Sequence, residues 1–152
     1  MYEDYVRTLK QEVQSASAES KALVEMQYES RDIRLVKDWM DDGTRPEYST
    51  VTAESYMVES LWAQWSRLVL KDDLLCRIWE VEESNNTTYQ IVMPLSQRRF
   101  ILQQMHGSKT SVHLGVTKTL NKARQNYYWP GLQSDVRSYV AGCARRKAPL
   151  DK

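Results

Sequence analysis

The spacing of apolar residues changes twice along this sequence, and that change limits the folds open to the chain. Residues 4–29 consist mostly of strong helix formers and contain neither Gly nor Pro. Apolar residues then recur at helical spacing in residues 31–41 and 53–68, which predicts two amphipathic helices. The period falls to two in residues 68–93 and returns to helical spacing in residues 96–141. The pattern predicts an α+β fold, with N-terminal helices and a small antiparallel sheet followed by a bundle of three helices.

Local signals define the ends of these elements. Thr52 is the expected N-cap of the second amphipathic helix, and Asp72-Asp73 is the expected turn of a hairpin. Pro94 ends the last predicted strand, and Ser96 is positioned to cap the helix that follows. Gly142 is the expected C-cap of the last helix. The three helices after the sheet are predicted at about residues 96–105, 116–125 and 134–141.

These elements divide the chain into four predicted segments. Residues 1–30 are a helical or partly disordered lead-in, because apolar residues are sparse there. Residues 31–93 form a small domain of two helices and a short antiparallel sheet. Residues 94–147 form a helical domain, and residues 148–152 are a tail.

Charge is distributed unevenly between the two halves of the chain. The formal net charge is only +1. Residues 1–83 carry eighteen acidic and ten basic side chains, a net −8, whereas residues 84–152 carry two acidic and eleven basic ones, a net +9. Such a density of positive charge in about seventy residues is typical of a nucleic-acid-binding module.

Composition excludes several classes of protein. A hydrophobic content of 41% with five Trp and nine Tyr argues against a wholly disordered chain. No apolar run is long enough for a transmembrane helix, so we expect no membrane partner. Two cysteines cannot build a disulfide framework. Cys76 lies on a predicted strand, where a buried core thiol is the simplest interpretation.

Residues 126–131 form an aromatic turn, Asn-Tyr-Tyr-Trp-Pro-Gly, between the last two predicted helices. Tyr127, Tyr128 and Trp129 have two possible roles, stacking on nucleic-acid bases or filling the space between short helices. We favour the core role. A module of three short helices has a small core, and such modules often need a bound metal.

The two histidines of the chain, His106 and His113, have six residues between them, and Cys143 follows, a concentration of possible metal ligands. A structural zinc ion needs four nitrogen or sulfur ligands, usually as two local pairs. Here the second pair is incomplete, since Cys143 is followed by Ala-Arg-Arg. From the residues alone, a zinc site and simple polar caps at helix ends both remain open.

Several motifs in the second half occur together at characteristic spacings. They are the run from Leu102 through His106 and His113 to Leu120, the sequence Tyr-Tyr-Trp-Pro-Gly at 127–131, Asp135-Val136, and Cys143. In this combination, residues 94–147 resemble the His-His-Cys-Cys zinc-binding N-terminal domain of gypsy-type LTR retrotransposon integrases. The first half also resembles the segment that precedes integrase in these polyproteins, through Gln27, Asp32, Trp39, Gly43, Arg45, Pro46, Leu61, Trp62, Gln64, Trp65, Leu68, Leu75 and Trp79.

The resemblance implies a helical domain pinned by zinc, which contacts the DNA ends of the element and helps integrase to multimerise in the nucleus. By position, His106, His113 and Cys143 match three metal ligands. The second Cys of the family's Cys-x-x-Cys pair is missing, as though three residues had been deleted before the basic stretch Ala144-Arg-Arg-Lys147. Water, Asp151 or a residue from a second chain are candidates for the fourth position. We therefore expect weak zinc binding or none.

We do not expect this chain to be an enzyme. Strand transfer in the resembled family needs a separate core with three acidic residues, and nine residues follow Cys143 here. The paired acids Asp41-Asp42, Asp72-Asp73 and Glu82-Glu83 fall at predicted turns or element ends, where carboxylates are usually solvated. No small-molecule substrate is expected either.

DNA contact is the activity that remains. Lys118, Lys122 and Arg124 on the predicted helix after His113 are candidates for phosphate contacts, as are Arg145, Arg146 and Lys147 near the end of the chain. The alternative for these side chains is a solvated helix face.

Two other functions are open at this stage. One is a truncated or domesticated retroelement relic that acts as a protein-interaction module without zinc, using its tryptophan-rich helices to self-associate. The other is a helix-turn-helix transcription factor, which lacks a recognisable reading helix here.

Overall fold

The computed structural model describes residues 2–80, 85–107 and 115–147. Four helices come first, then three strands, then two helices, a two-residue strand and a last helix. Their bounds are α1 Tyr2–Glu29, α2 Arg31–Asp41, α3 Tyr48–Val51, α4 Tyr56–Ala63, β1 Leu68–Lys71, β2 Leu74–Glu80, β3 Thr87–Val92, α5 Arg98–His106, α6 Val116–Arg124, β4 Tyr127–Tyr128 and α7 Leu132–Lys147. In the part of the chain described here, no helix is both long and apolar enough to cross a membrane.

Serine side chains begin two of the early helices. Ser30 accepts a hydrogen bond from the backbone amide of Ile33 at the start of α2, and Ser55 accepts one from Val58 at the start of α4. The N-cap predicted at Thr52 is therefore wrong. Thr52 instead follows α3, and the helix predicted from Ala53 begins three residues later.

The predicted hairpin is confirmed. Asp72 and Asp73 both have positive φ, 51° and 64°, a backbone geometry that suits the right-handed twist of paired strands and that Asp tolerates better than most side chains. Strands β1, β2 and β3 pair in antiparallel order, as predicted.

A fourth strand makes the sheet mixed and corrects the prediction of a purely antiparallel one. In β4, Tyr127 and Tyr128 pair in parallel with Ile91 and Val92 of β3, giving the order β1-β2-β3-β4. The aromatic turn of the second half thus adds a strand to the sheet of the first half, across the boundary predicted at 93/94. That boundary stays a prediction.

Gln27 joins α1 to the sheet. Its side chain is buried, donates hydrogen bonds of 3.0 and 2.9 Å to the carbonyl oxygens of Leu75 and Val92, and accepts one of 2.8 Å from the amide of Leu75. The amide side chain therefore pairs with backbone groups of β2 and β3 as a short strand would.

The later helices differ from their predicted ends. Ser96 lies inside a 3₁₀ turn, Leu95–Gln97, and α5 starts at Arg98 with no side-chain cap, so that capping prediction is wrong. Gly142 is not a C-cap, because α7 continues through it to Lys147. The helix predicted near 116–125 is confirmed as α6.

The buried apolar side chains form two cores. The first core lies between α2, α4 and the sheet, and the second lies between α5, α6 and α7 around Trp129. Leu23 and Met26 of α1 pack against the second core. The α+β class is confirmed. Helices α5, α6 and α7 contact one another in pairs, although the bundle itself stays a prediction.

Candidate nucleic-acid interface

His106 ends α5 and is buried, with 3% of its surface exposed. Its Nδ1 atom lies 3.4 Å from the hydroxyl of Thr119 on α6, and its ring meets Tyr139 of α7 edge to face at 5.8 Å. Cys143 is half-buried one helical turn after Tyr139 on the same helix. The fold thus directs two of the three predicted ligands toward the region where α5, α6 and α7 meet.

The donor set does not fit a closed structural zinc site. Four nitrogen or sulfur ligands are required, and position 146, where a Cys-x-x-Cys pair starting at Cys143 would place its second thiolate, holds Arg. In residues 2–80, 85–107 and 115–147, no three His, Cys, Asp or Glu side chains are grouped to hold a metal ion. His113, the third predicted ligand, lies outside these residues, as does Asp151.

Cys76 is a buried core thiol, as predicted. It lies on β2 between Val69 and Ile91 of the neighbouring strands, with 3% of its surface exposed. Burial raises the pKa of its thiol because the thiolate would lose hydration, an effect that Lys71 partly opposes.

The acidic pairs lie where turns were expected. Asp41 and Asp42 end α2, and Asp72-Asp73 forms the exposed hairpin turn. Glu82-Glu83 lies outside the described residues.

Lys118 and Lys122 form one exposed pair on α6. They stand four residues apart, so both point away from the second core, whereas Thr119, Leu120 and Ala123 of the same helix are buried in it. No ion pair involves either lysine in the described part of the chain. Because both side chains are exposed, a polyanion can reach them, whereas it could not reach a buried or ion-paired lysine.

Arg124 does not share that face. It lies two positions after Lys122, which corresponds to about 200° around the helix axis. The guanidinium of Arg124 lies 5.9 Å from the ring centre of Trp79 on β2, and its backbone carbonyl accepts a 2.7 Å hydrogen bond from buried Gln90. The structure therefore separates Arg124 from the two lysines.

Arg145, Arg146 and Lys147 belong to the last turns of α7, and their side chains lie outside what the structure describes.

Trp129 confirms the core role predicted for the aromatic turn. Its ring is fully buried, and its indole nitrogen donates a 2.7 Å hydrogen bond to Asp135 of α7. Asp135 also lies 3.7 Å from Arg98. Burial lowers the pKa of Arg98, and this carboxylate opposes the shift in part. Trp129 therefore links the sheet, α5 and α7, and is not available for base stacking.

Two basic residues near the sheet were missed at the level of sequence. Arg77 of β2 packs its guanidinium 4.2 Å from the ring centre of Tyr128, and Arg137 of α7 is exposed. With Arg124 they line one cleft of about 550 Å³. The period-two pattern shows that Arg77 shares a strand face with Trp79, but it does not show that α6 and α7 meet that face.

Comparisons with known proteins agree with the resemblance. Residues 93–147 match the family described as the integrase zinc binding domain. The chain is 26% identical over 77 residues to gypsy retrotransposon integrase-like protein 1 of Macaca fascicularis, and 23% and 25% identical over the same length to the proteins of that name from Homo sapiens and Mus musculus.

Each of these alignments covers 51% of this chain and 14% of the relative, so the chain corresponds to a small part of the proteins that it matches. No solved structure matches it significantly. The two comparisons agree with the resemblance to a gypsy-type integrase N-terminal region: residues 93–147 match the integrase zinc binding domain, and the relatives are gypsy retrotransposon integrase-like proteins.

Proposed function

We propose that this chain is the non-catalytic N-terminal region of a retrotransposon-type integrase, and that its second half contacts DNA and supports multimerisation during DNA integration in the nucleus. The observation that carries the proposal is the exposed pair Lys118 and Lys122, in the half of the chain with a net charge of +9. Lysines in this setting neutralise phosphates and release counterions, which gives affinity without base reading.

The relatives and the family match support the integrase setting, and the family description refers to zinc binding alone and not to catalysis. We infer that this region has no catalytic role of its own. Multimerisation is carried over from the resemblance. Phe100 on α5 and Leu95 in the 3₁₀ turn before it are exposed apolar side chains that a second subunit would bury.

The relic hypothesis relied on tryptophan-rich helices that self-associate, and their packing argues against it. Trp39 and Trp62 pack against the first core. Trp62 also donates a 2.7 Å hydrogen bond to the carbonyl of Pro46 and lies under the guanidinium of Arg45 at 3.8 Å. These rings are engaged within the chain, so they offer little surface to a partner.

The test of DNA contact is fluorescence anisotropy with a labelled 20-base-pair duplex over a series of salt concentrations. We expect binding that weakens steeply with salt, with a log–log slope of about −0.9 for each phosphate contact. The double variant Lys118→Gln/Lys122→Gln should reduce that slope by about 1.8 and lower affinity about tenfold at 200 mM salt.

A matched control removes the same charge elsewhere. Arg7 on α1 and Arg99 on α5 are both exposed, and neither lies on α6 or in the cleft that contains Arg124. The double variant Arg7→Gln/Arg99→Gln should bind as the wild type does. Absence of wild-type DNA binding at low salt would overturn the proposal, and equal losses in both double variants would overturn the assignment to Lys118 and Lys122.

Zinc binding is expected to be weak or absent, because the chain supplies His106, His113 and Cys143 but no fourth family ligand. Native mass spectrometry of protein purified without chelator should show less than one zinc per chain. One zinc per chain that His113→Ala removes would contradict this expectation and would mean that a substitute ligand completes the site.

A further inference from the structure

The cleft between the sheet, the end of α6 and the start of α7 concentrates positive charge. Arg77, Arg124 and Arg137 line it, together with Tyr128, Gln133 and Ser134, and no carboxylate does. These three arginines come from β2, α6 and α7, so residues far apart in sequence converge at one place. Within the described residues, none of the three forms an ion pair.

Arg77 is held in a fixed position at the floor of this cleft. Its guanidinium stacks on Tyr128 at 4.2 Å, and one terminal nitrogen donates a 3.3 Å hydrogen bond to Gln90. Its Nε atom is buried with no hydrogen-bond partner in the described part of the chain. Burial lowers the pKa of Arg77, and Arg67 and Arg124 lower it further despite an opposing effect of Tyr128. The nearby positive charges therefore repel one another, and a bound anion would relieve that repulsion.

The start of α7 adds to the positive potential. Gln133 and Ser134 lie in its first turn, where backbone amide groups point out of the helix and the helix dipole is positive. Guanidinium groups and the free backbone amides of a helix N-terminus both donate hydrogen bonds to the oxygens of a phosphate.

The positive charge extends beyond one phosphate. A neighbouring cleft of about 490 Å³ shares Arg77 and is lined by Arg67 and Trp79, with Glu80 as its one acidic residue. Arg67, Arg77, Arg124 and Arg137 thus form a continuous series, which we name the arginine track. A series that passes through two clefts fits the repeated phosphates of a nucleic-acid strand better than a single small anion.

We propose that the arginine track binds the phosphate backbone of DNA, so that the sheet of the first half and the helices of the second half form one binding surface. This inference rests on the proposed DNA contact and adds a second site to it, separate from Lys118 and Lys122. It also gives Arg77 and Arg67, which lie outside residues 93–147, a role in binding.

The test uses the same anisotropy titrations with the double variant Arg124→Gln/Arg137→Gln, which leaves the packed Arg77 in place. We expect the salt slope to fall by about 1.8 and affinity at 200 mM salt to fall about tenfold, as two lost phosphate contacts require. Arg7→Gln/Arg99→Gln again serves as the control of equal charge.

The outcomes separate the two proposals. If the Arg124/Arg137 variant binds like the control while the Lys118/Lys122 variant is weakened, the arginine track is overturned and the contact through the two lysines stands. If the Arg124/Arg137 variant is weakened and the lysine variant is not, the track stands and the assignment to Lys118 and Lys122 fails. Wild-type protein that binds no duplex overturns both.

A second measurement requires no variant. In ¹⁵N-labelled wild-type protein, the Nε–Hε resonance of Arg77 should shift when the duplex is added, because this guanidinium lines the cleft and a phosphate bound there would change the electric field at it. An unchanged Arg77 resonance at saturating duplex would overturn the inference.

Discussion

The two cores of this chain are held together in different ways. The first core is covered by a sheet whose strands β1, β2 and β3 pair along their length. The second lies between α5 and α6, each nine residues long, and α7, with Trp129 at its centre. Helices of nine residues are unstable alone, so the second core depends on tertiary packing. In the resembled family zinc adds to that packing, whereas here Arg146 stands where the second Cys of the family's pair would be.

The comparison predicts that the second core is sensitive to a single side chain. Trp129→Ala removes the largest fully buried ring and its hydrogen bond to Asp135. We expect the free energy of unfolding in urea to fall by about 3–5 kcal/mol. Hydrogen exchange should show that the amides of α5, α6 and α7 lose more protection than those of β1 and β2.

Trp39→Ala is the comparison in the first core, where the ring is half-buried and packs against the core. Trp39→Ala should lower the free energy of unfolding by about 1–3 kcal/mol. A larger loss from Trp39→Ala than from Trp129→Ala would contradict the difference that we infer between the two cores.

Gln27 tests how the two cores are connected. Leu23 and Met26 of α1 contact the second core, while Gln27 of the same helix bonds Leu75 and Val92, which belong to the first. Gln27→Ala would leave buried backbone groups of β2 and β3 without partners, at a cost of about 2–3 kcal/mol.

Thermal unfolding monitored by circular dichroism measures this loss, and Gln103→Ala on the exposed side of α5 is the control, with an expected change within about 0.5 kcal/mol. Equal melting temperatures for the two variants would mean that the Gln27 bonds contribute nothing and that α1 is held by apolar contacts alone.

Local signals account for the elements that the sequence predicted correctly. The α2 helix follows from the spacing of Ile33 and Val36, and the hairpin follows from Asp72-Asp73 between two apolar runs. In contrast, β4 was predicted as a turn, because the two tyrosines become a strand only by pairing with β3, thirty-six residues earlier. Pairing between distant segments has no local signature.

The candidate binding residues also fall into those that a local pattern predicts and those that depend on contacts between distant segments. The exposure of Lys118 and Lys122 follows from the periodicity of a single helix, which sequence reasoning can read. The cleft of Arg77, Arg124 and Arg137 depends on three elements meeting, and Gln90, which bonds both Arg77 and the end of α6, is the contact that brings two of them together. Neither Arg77 nor Arg137 was therefore predicted.

A substitution at Gly142 has the smallest of the expected effects. It distinguishes the C-cap that the sequence predicts there from the helix interior that the structure shows. As a C-cap it would need a left-handed backbone, and Ala there would be destabilising. In the structure it lies inside α7, and a Cβ atom added to it would meet no atom within 4 Å. Gly142→Ala should therefore raise the free energy of unfolding by about 0.5–1 kcal/mol, because Ala is the better helix former.

Gly131 supplies the contrasting case, since it precedes α7 with a φ of +91°. Gly131→Ala should lower stability even though its added Cβ atom would also meet nothing within 4 Å, because the cost lies in the backbone and not in packing. Urea unfolding of both variants shows whether each substitution raises or lowers the free energy of unfolding. If Gly142→Ala were destabilising like Gly131→Ala, α7 would end at Ala141 with Gly142 as its cap, and the second core would be bounded by a helix of ten residues. Cys143 would then leave the helix that carries Tyr139, and the placement of His106 and Cys143 toward one region would be lost.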